Sequence, residues 1–310
     1  MLSSLRFAKL DYPGAARHVE LGLQWASQIV GDEADRAEIE VKLLTYSALV
    51  SIMCCRFDEA KAALLAVLSR CELMGLPLLQ VGALDALAGA AALLGRWDEM
   101  AEWAERMHTV ALSIGALHAV GGAQMRLAVV AEQRNDPRAA IRWHEQNIEI
   151  YRRTGNRRFH APALMQLGSM HLELGDAEMA LLWHAKAQAM YETVDQPVEK
   201  CENSARAALC NLRLGQPQVA LSAVNVVLER LSGDLAERPA HETIKVRWLC
   251  QQALEGAGDA RAQLLLGQLF ADVQTRAIEL TDAADRDRLI QALPDFRAVV
   301  AAHGRAALTG

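Results

Sequence analysis

Three tryptophans stand forty residues apart, at Trp103, Trp143 and Trp183, and the residues around them recur with the same step. Self-similarity at a fixed period restricts a chain to a repeat architecture, in which one unit is copied and neighbouring copies bury what a single copy leaves open. The phase is kept away from tryptophan as well: three residues earlier, Ala60, Met100, Ala140, Ala180 and Ala220 hold the same spacing. Just before these small residues lie Cys55-Arg56, Gly95-Arg96, Asn135-Asp136, Gly175-Asp176 and Gly215-Gln216. Glycine or asparagine there can adopt the positive φ that ends a helix, so one helix stops and another starts at each. Tyr151 and Tyr191 follow their tryptophans by eight residues, about two helical turns.

Each unit reads as two amphipathic helices. In the fourth, Pro162 to Leu174 carries Leu164, Leu167, Gly168, His171 and Leu174 at helical spacing, and a second helix carries Ala180, Trp183, His184, Ala187 and Tyr191. Gly168 and Ala180 would let the two backbones approach closely while larger neighbours fill the groove toward the next unit. Prolines mark the boundaries, since the ring is tolerated in the first turn of a helix and damaging in its middle. Pro13, Pro137 and Pro217 fall at the first turn of second helices, and Pro77, Pro197 and Pro239 where first helices should begin. Pro294 interrupts the last amphipathic segment, Asp285 to His303, and predicts two short capping helices there.

This pattern resembles the tetratricopeptide repeat, whose small and aromatic consensus positions correspond to Leu167, Gly168, Ala180 and Ala187, with His171 and His184 at positions that are usually aromatic. Met100 replaces one consensus alanine, and Ala88, Ala128 and Ala208 replace the first-helix glycine. The resemblance covers nearly all of the chain and implies an all-α, right-handed superhelical solenoid of stacked antiparallel helix hairpins. On that reading residues 1–54 hold an incomplete first hairpin and the start of the first full unit, 55–232 the regular repeats, 233–280 a divergent repeat and 281–310 the capping helices. A forty-residue step exceeds the usual thirty-four. Long variants of this kind look like the sensor regions of bacterial regulators, including the maltose-activator type and signalling ATPases with many domains. The closing segment, Leu289 to Arg297, also resembles the end of such chains. Met1 to Leu10 reads as the end of a first helix, which would make the chain a piece of a longer protein.

Composition agrees with an extended core: 310 residues are 52% hydrophobic and include 20 glycines. No run of about eighteen apolar residues and no leader pattern is present, so a cytoplasmic chain is expected. The six cysteines, Cys54, Cys55, Cys71, Cys201, Cys210 and Cys250, are scattered through helical segments without paired metal-binding spacing and read as small core residues. A net charge of −6 argues against a nucleic-acid surface. The one basic cluster, Arg152-Arg153 with Arg157-Arg158, is broken by the Thr154-Gly155-Asn156 turn and reads as a solvated loop. Mean hydropathy of +0.06 suggests apolar surface covered by a partner or by a second copy.

No Gly-rich phosphate loop, no zinc-binding His-Glu-x-x-His and no Gly-x-Ser-x-Gly nucleophile turn occurs, so an enzyme, a cofactor and a metal site are not expected. His144 and His184 should lie on adjacent parallel second helices, about 10 Å apart, too far to share an ion, and read as packing residues. Function must then come from surface. The family's concave face, lined by first helices, corresponds here to Lys42, Thr45, Leu49 and Ile52, then Asp85, Gly89 and Leu93, then Met125, Val129, Glu132 and Gln133. Met165, Ser169 and Glu173 follow, then Glu202, Leu209 and Arg213. Of these, Thr45, Leu49, Asp85, Met125, Val129, Glu132, Met165, Ser169, Glu173 and Arg213 are the expected binding residues. The mixture of apolar and methionine side chains with few charges suits an amphipathic helix or an extended peptide better than a C-terminal carboxylate. The expectation is therefore a protein- or peptide-binding scaffold, with the sensor region of a bacterial regulator, taking a peptide or a small inducer, as the alternative.

Overall fold

The computed structural model describes residues 12–26, 28, 33–54, 56–238, 240–278 and 283–309. Residues 1–133 and 134–310 form two compact units. The first holds α1 (Tyr12–Ala26), α2 (Glu33–Met53), α3 (Phe57–Met74), α4 (Pro77–Leu93), α5 (Trp97–Ser113) and α6 (Leu117–Gln133). The second holds α7 (Pro137–Thr154), α8 (Arg157–Glu173), α9 (Ala177–Tyr191), α10 (Pro197–Arg213), α11 (Pro217–Ser232), α12 (Ala240–Gly256), α13 (Arg261–Ile278), α14 (Ala283–Ala292) and α15 (Pro294–Thr309). Among the described residues there is no strand, and no helix is long and apolar enough to cross a membrane.

Within each unit consecutive helices pack as hairpins, and first helices also touch one another across the intervening second helix. α2 meets α4 and α4 meets α6 in the first unit; α8 meets α10 and α10 meets α12 in the second. α15 packs on both α12 and α13. In each unit the expected binding residues lie on these first helices.

Left-handed residues set the helix ends. Gly75, Gly95, Gly115, Asn135, Gly155 and Gly175 all have positive φ, one every twenty residues, and Gly215 continues the series. The residue after each glycine closes the turn by donating its backbone N–H five residues back, as Arg96 does to Ala91 O at 2.9 Å and Asp176 to His171 O at 2.9 Å. That geometry satisfies carbonyls that the helix end leaves open. At two of these turns the following residue also caps the next helix: Asp136 Oδ1 accepts from Ala139 N at 2.9 Å, and Asp176 Oδ1 from Met179 N at 3.0 Å. Cys55, Pro239 and Met1 to Leu10 lie outside the described residues.

Pro77, Pro137, Pro197 and Pro217 each occupy the first position of their helix, and Pro294 opens α15 directly after the end of α14. One boundary differs from the expectation. α8 begins at Arg157 rather than at Pro162, which lies inside it. Gly155 has already ended the previous helix, and Asn156 O accepts from His160 N at 3.0 Å to start the new one five residues before the proline.

Burial repeats with the same phase. Met100, Ala140, Ala180 and Ala220 are fully buried, and so are Ala104, His144, His184 and Val224 four residues on. The tryptophans between them are only half-buried, so the most visible sequence marker lies at the margin of the core. Lys186 Nζ sits 3.8 Å above the Trp183 ring and Arg106 lies 5.1 Å from the Trp103 ring, covering the part that the core does not. In the hairpin of α8 and α9, a Cβ built on Gly168 would fall 3.0 Å from His184 Nε2 and 3.1 Å from Ala180 O. Only a residue without a side chain admits that approach.

Cys71, Cys201, Cys210 and Cys250 are buried, Cys54 is half-buried, and all five are free thiols. Burial pushes the Cys210 thiol up to about 11 and the Cys250 thiol up to about 12, far from the thiolate that redox chemistry needs.

Candidate functional site

The ten expected binding residues divide between the units: Thr45, Leu49, Asp85, Met125, Val129 and Glu132 in the first, Met165, Ser169, Glu173 and Arg213 in the second. In the first unit Thr45 and Leu49 are half-buried on α2, and the Thr45 hydroxyl donates to Val41 O within its own helix at 2.8 Å. Asp85 on α4 accepts from Arg126 Nε on α6 at 3.0 Å, which ties two first helices together across their shared side. The same guanidinium covers Gly89, where a Cβ would lie 3.4 Å from it. Met125, Val129 and Glu132 are half-buried on α6, and Val129 packs against a cluster that includes Ala88, Ala91 and Met100.

In the second unit Met165 is a core residue, 3% exposed and packed with Leu164, Ala187 and Tyr191. Ser169 is buried too; its hydroxyl donates to Met165 O at 3.2 Å and accepts from Arg206 on α10 at 2.8 Å. Glu173 and Arg213 are exposed and line one recess of about 510 Å³, walled by the turn around Gly175 and Asp176 and by Leu214. Opposite charges thus line one recess at the ends of α8 and α10.

Arg206 is the centre of a network that links all three first helices of this unit. Its Nε donates to Glu202 Oε1 at 2.9 Å, and Lys245 Nζ on α12 approaches the same oxygen at 2.9 Å. Burial pushes the Glu202 carboxyl up, but Arg206 and Lys245 outweigh it and hold the group below the usual carboxylate range. Asp295, in the first turn of α15, is raised by burial, with Lys245 opposing and Glu202 adding to the shift. A fixed row of guanidinium, carboxylate and ammonium of this kind can orient a polar backbone or a charged side chain without reorganising. Among the described residues, no three or more His, Cys, Asp or Glu side chains gather to hold a metal ion.

Arg126, Arg206 and Lys245 were not among the binding residues expected from the sequence. A signal for two of them was present: Arg126 and Arg206 stand eighty residues apart, at the same place in alternate repeats, and each reaches back to the preceding first helix. The exposed arginines at 152, 153, 157 and 158 contribute no comparable network, and Arg152 donates to its neighbour Glu149 at 2.8 Å.

His184 is buried, and its Nδ1 lies 2.9 Å from Asn203 Oδ1. Asn203 Nδ2 donates to His184 O at 3.0 Å and to Gln188 Oε1 at 3.1 Å, which fixes the amide so that its oxygen faces the ring. The imidazole therefore donates from Nδ1 and is neutral; burial lowers its pKa to about 4. His184 and His144 are packing residues of the second helices, each completely enclosed.

Residues 119–193 match the tetratricopeptide repeat family. No curated protein matches the chain in sequence. Among solved structures, BtubC from P. vanneervenii superposes with a TM-score of 0.64 at 18% identity, over 72% of this chain and 91% of that one. The Rap conjugation gene regulator of plasmid pLS20, solved in complex with a peptide, gives 0.65 at 16% identity over 94% and 74%. A signal transduction ATPase with numerous domains from Pyrococcus horikoshii, which has a tetratricopeptide repeat sensor, gives 0.57 at 15% identity; the match covers 92% of this chain and 44% of that one. At these identities the likeness concerns the fold: stacked helix hairpins of the tetratricopeptide type.

Proposed function

From a chain that carries tetratricopeptide repeats at residues 119–193, we propose a non-enzymatic scaffold that binds a peptide or a partner protein on the shared side of its first helices, with no cofactor. The observation that carries this reading is the polar network from Ser169 through Arg206 and Glu202 to Lys245, which bridges three first helices and sets fixed charges beside them. The Rap regulator supports it, because a protein of similar fold over 94% of this chain was solved in complex with a peptide. Specificity on this reading comes from side chains such as Lys245, Arg213 and Glu173, while Met165 and Ser169 form the floor beneath them.

A second reading has its own support. The sensor-bearing signalling ATPase matches 92% of this chain, which favours a sensor region acting within a larger cytoplasmic regulator, with a peptide or small inducer as the signal and self-association as a possible output. Native mass spectrometry of the full chain purified from its own source separates the two. A peptide or protein released on denaturation supports the scaffold, and a small mass supports the sensor. Lys245→Glu is expected to release a captured peptide at least about tenfold more readily, and unchanged retention in that variant would count against the first-helix surface.

A further inference from the structure

Four guanidinium groups crowd the turn between α7 and α8: Arg152 and Arg153 close α7, and Arg157 and Arg158 open α8. On a chain of net charge −6, this is a local reversal of sign. Glu149 is the carboxylate within the cluster. It accepts from Arg152 at 2.8 Å, and that bond, with the nearby Arg153 charge, holds it below the usual carboxylate range. Among the described residues none bonds to or ion-pairs with Arg157 or Arg158, and both are exposed. Cations at the end of a helix complement its dipole, whereas cations at its start oppose it. Arg152 and Arg153 therefore suit α7, but Arg157 and Arg158 weaken the start of α8 and make no bond that offsets the loss.

An apolar face stands among these charges. Phe159 is 41% exposed, and its ring stacks on the buried Tyr151 with centroids 5.7 Å apart, which holds it in place at the surface. The next turn limits what can be laid there. α8 and α10 lie side by side, and the turn leading into α10 carries Glu192, Asp195 and Glu199, of which Glu192 pairs with Lys200. An extended polyanion such as a nucleic acid, following this edge, would run onto those carboxylates, whereas a short acidic segment stays on the arginines. A single exposed ion pair contributes little. Carboxylates spaced along a peptide engage several guanidinium forks at once, and arginine beside an aromatic ring is the composition of interface hot spots.

We propose that the turn of residues 152–158, together with Phe159, docks a short acidic peptide segment, with carboxylates at Arg153, Arg157 and Arg158 and one apolar side chain on the Phe159 ring. Ser169 stands twelve residues beyond Arg157 on α8, about 18 Å by helical rise. The turn is thus separate from the polar network of the first helices, and failure of either proposal leaves the other standing.

Fluorescence anisotropy of the full-length chain tests the assignment with a labelled, end-blocked peptide of four glutamates around one phenylalanine. The comparison ligands are the same peptide with glutamine for glutamate and a single-stranded oligonucleotide of equal charge. The acidic peptide is expected to bind at least about tenfold more tightly than either. Arg157→Glu combined with Arg158→Glu should weaken it at least about tenfold, with a thermal midpoint equal to or above that of the parent, because anions then meet the start of α8. Phe159→Ala should weaken it about threefold or more, and Lys245→Glu should leave it unchanged. Equal affinity for the glutamine peptide, tighter binding of the oligonucleotide, undiminished binding in the charge-reversed chain, or loss in Lys245→Glu instead would each overturn the proposal.

Discussion

His184 and Gly168 form the tightest contact in the hairpin of α8 and α9, and the two residues explain each other. An enclosed imidazole occupies the space that a side chain at 168 would need, so Gly168→Ala drives a Cβ to within 3.0 Å of Nε2 and 3.1 Å of a backbone carbonyl. The expected cost is about 1–3 kcal/mol, measured by urea unfolding, and Ala180→Trp on the facing helix should cost at least as much. The same histidine makes stability depend on pH. Its folded pKa of about 4 lies below the ordinary 6.5, so the folded state binds the proton less well than the unfolded state does. Its contribution is complete above pH 6.5, fades as pH falls toward 4, and amounts to about 3 kcal/mol in all. Unfolding free energies measured between pH 7 and pH 4.5 should therefore converge for His184→Gln and the parent chain at the acid end, and an unaltered pH slope in the variant would refute the assignment. The sequence reading had placed His184 as a packing residue and Gly168 as a close-approach glycine, because both occupy consensus places in a periodic pattern. It could not place Asn203, which fixes the imidazole from the next first helix, since a hydrogen-bond partner nineteen residues away leaves no periodic trace.

Helix ends were the most legible elements. A glycine or asparagine every forty residues predicted alternate stops, the turn at Gly155 was expected as well, and the structure adds Gly75 and Gly115, so the left-handed positions from 75 to 175 recur every twenty residues. Gly75 and Gly115 fall outside the tryptophan phase that marks the other stops. Around Gly215 a Cβ would meet no atom within 4 Å, which leaves backbone conformation as the whole penalty for a side chain there. Gly215→Ala should cost about 1–2 kcal/mol in thermal or urea unfolding, whereas Asn135→Gly, at φ 55°, should leave stability equal or raise it. A larger loss for Asn135→Gly than for Gly215→Ala would show that the asparagine side chain is needed for something other than its tolerance of positive φ. Pro162 misled because proline reads as a first-turn residue, and the stronger stop at Gly155 had already released a new helix.

For the molecule as a whole, the repeat predicted which helices would lie side by side but not which side chains would link them. Asp85 and Ser169 were anticipated as surface groups, yet their partners Arg126 and Arg206 were not, because the family pattern assigns surface positions one helix at a time and an ion pair spans two. Met125→Glu offers a whole-molecule check on the first-helix surface. The side chain is half-buried, so the variant should keep its helical circular dichroism while losing captured peptide, and full retention of the peptide would remove α6 from the binding surface. The even spacing of left-handed residues from 75 to 175 also bears on how such a chain changes over generations. Recombination between any two equivalent glycines forty residues apart would add or delete one complete hairpin with both of its caps intact. Length can then vary in whole cassettes while every junction stays well formed, and a binding surface can be lengthened or shortened without redesigning the joints that carry it.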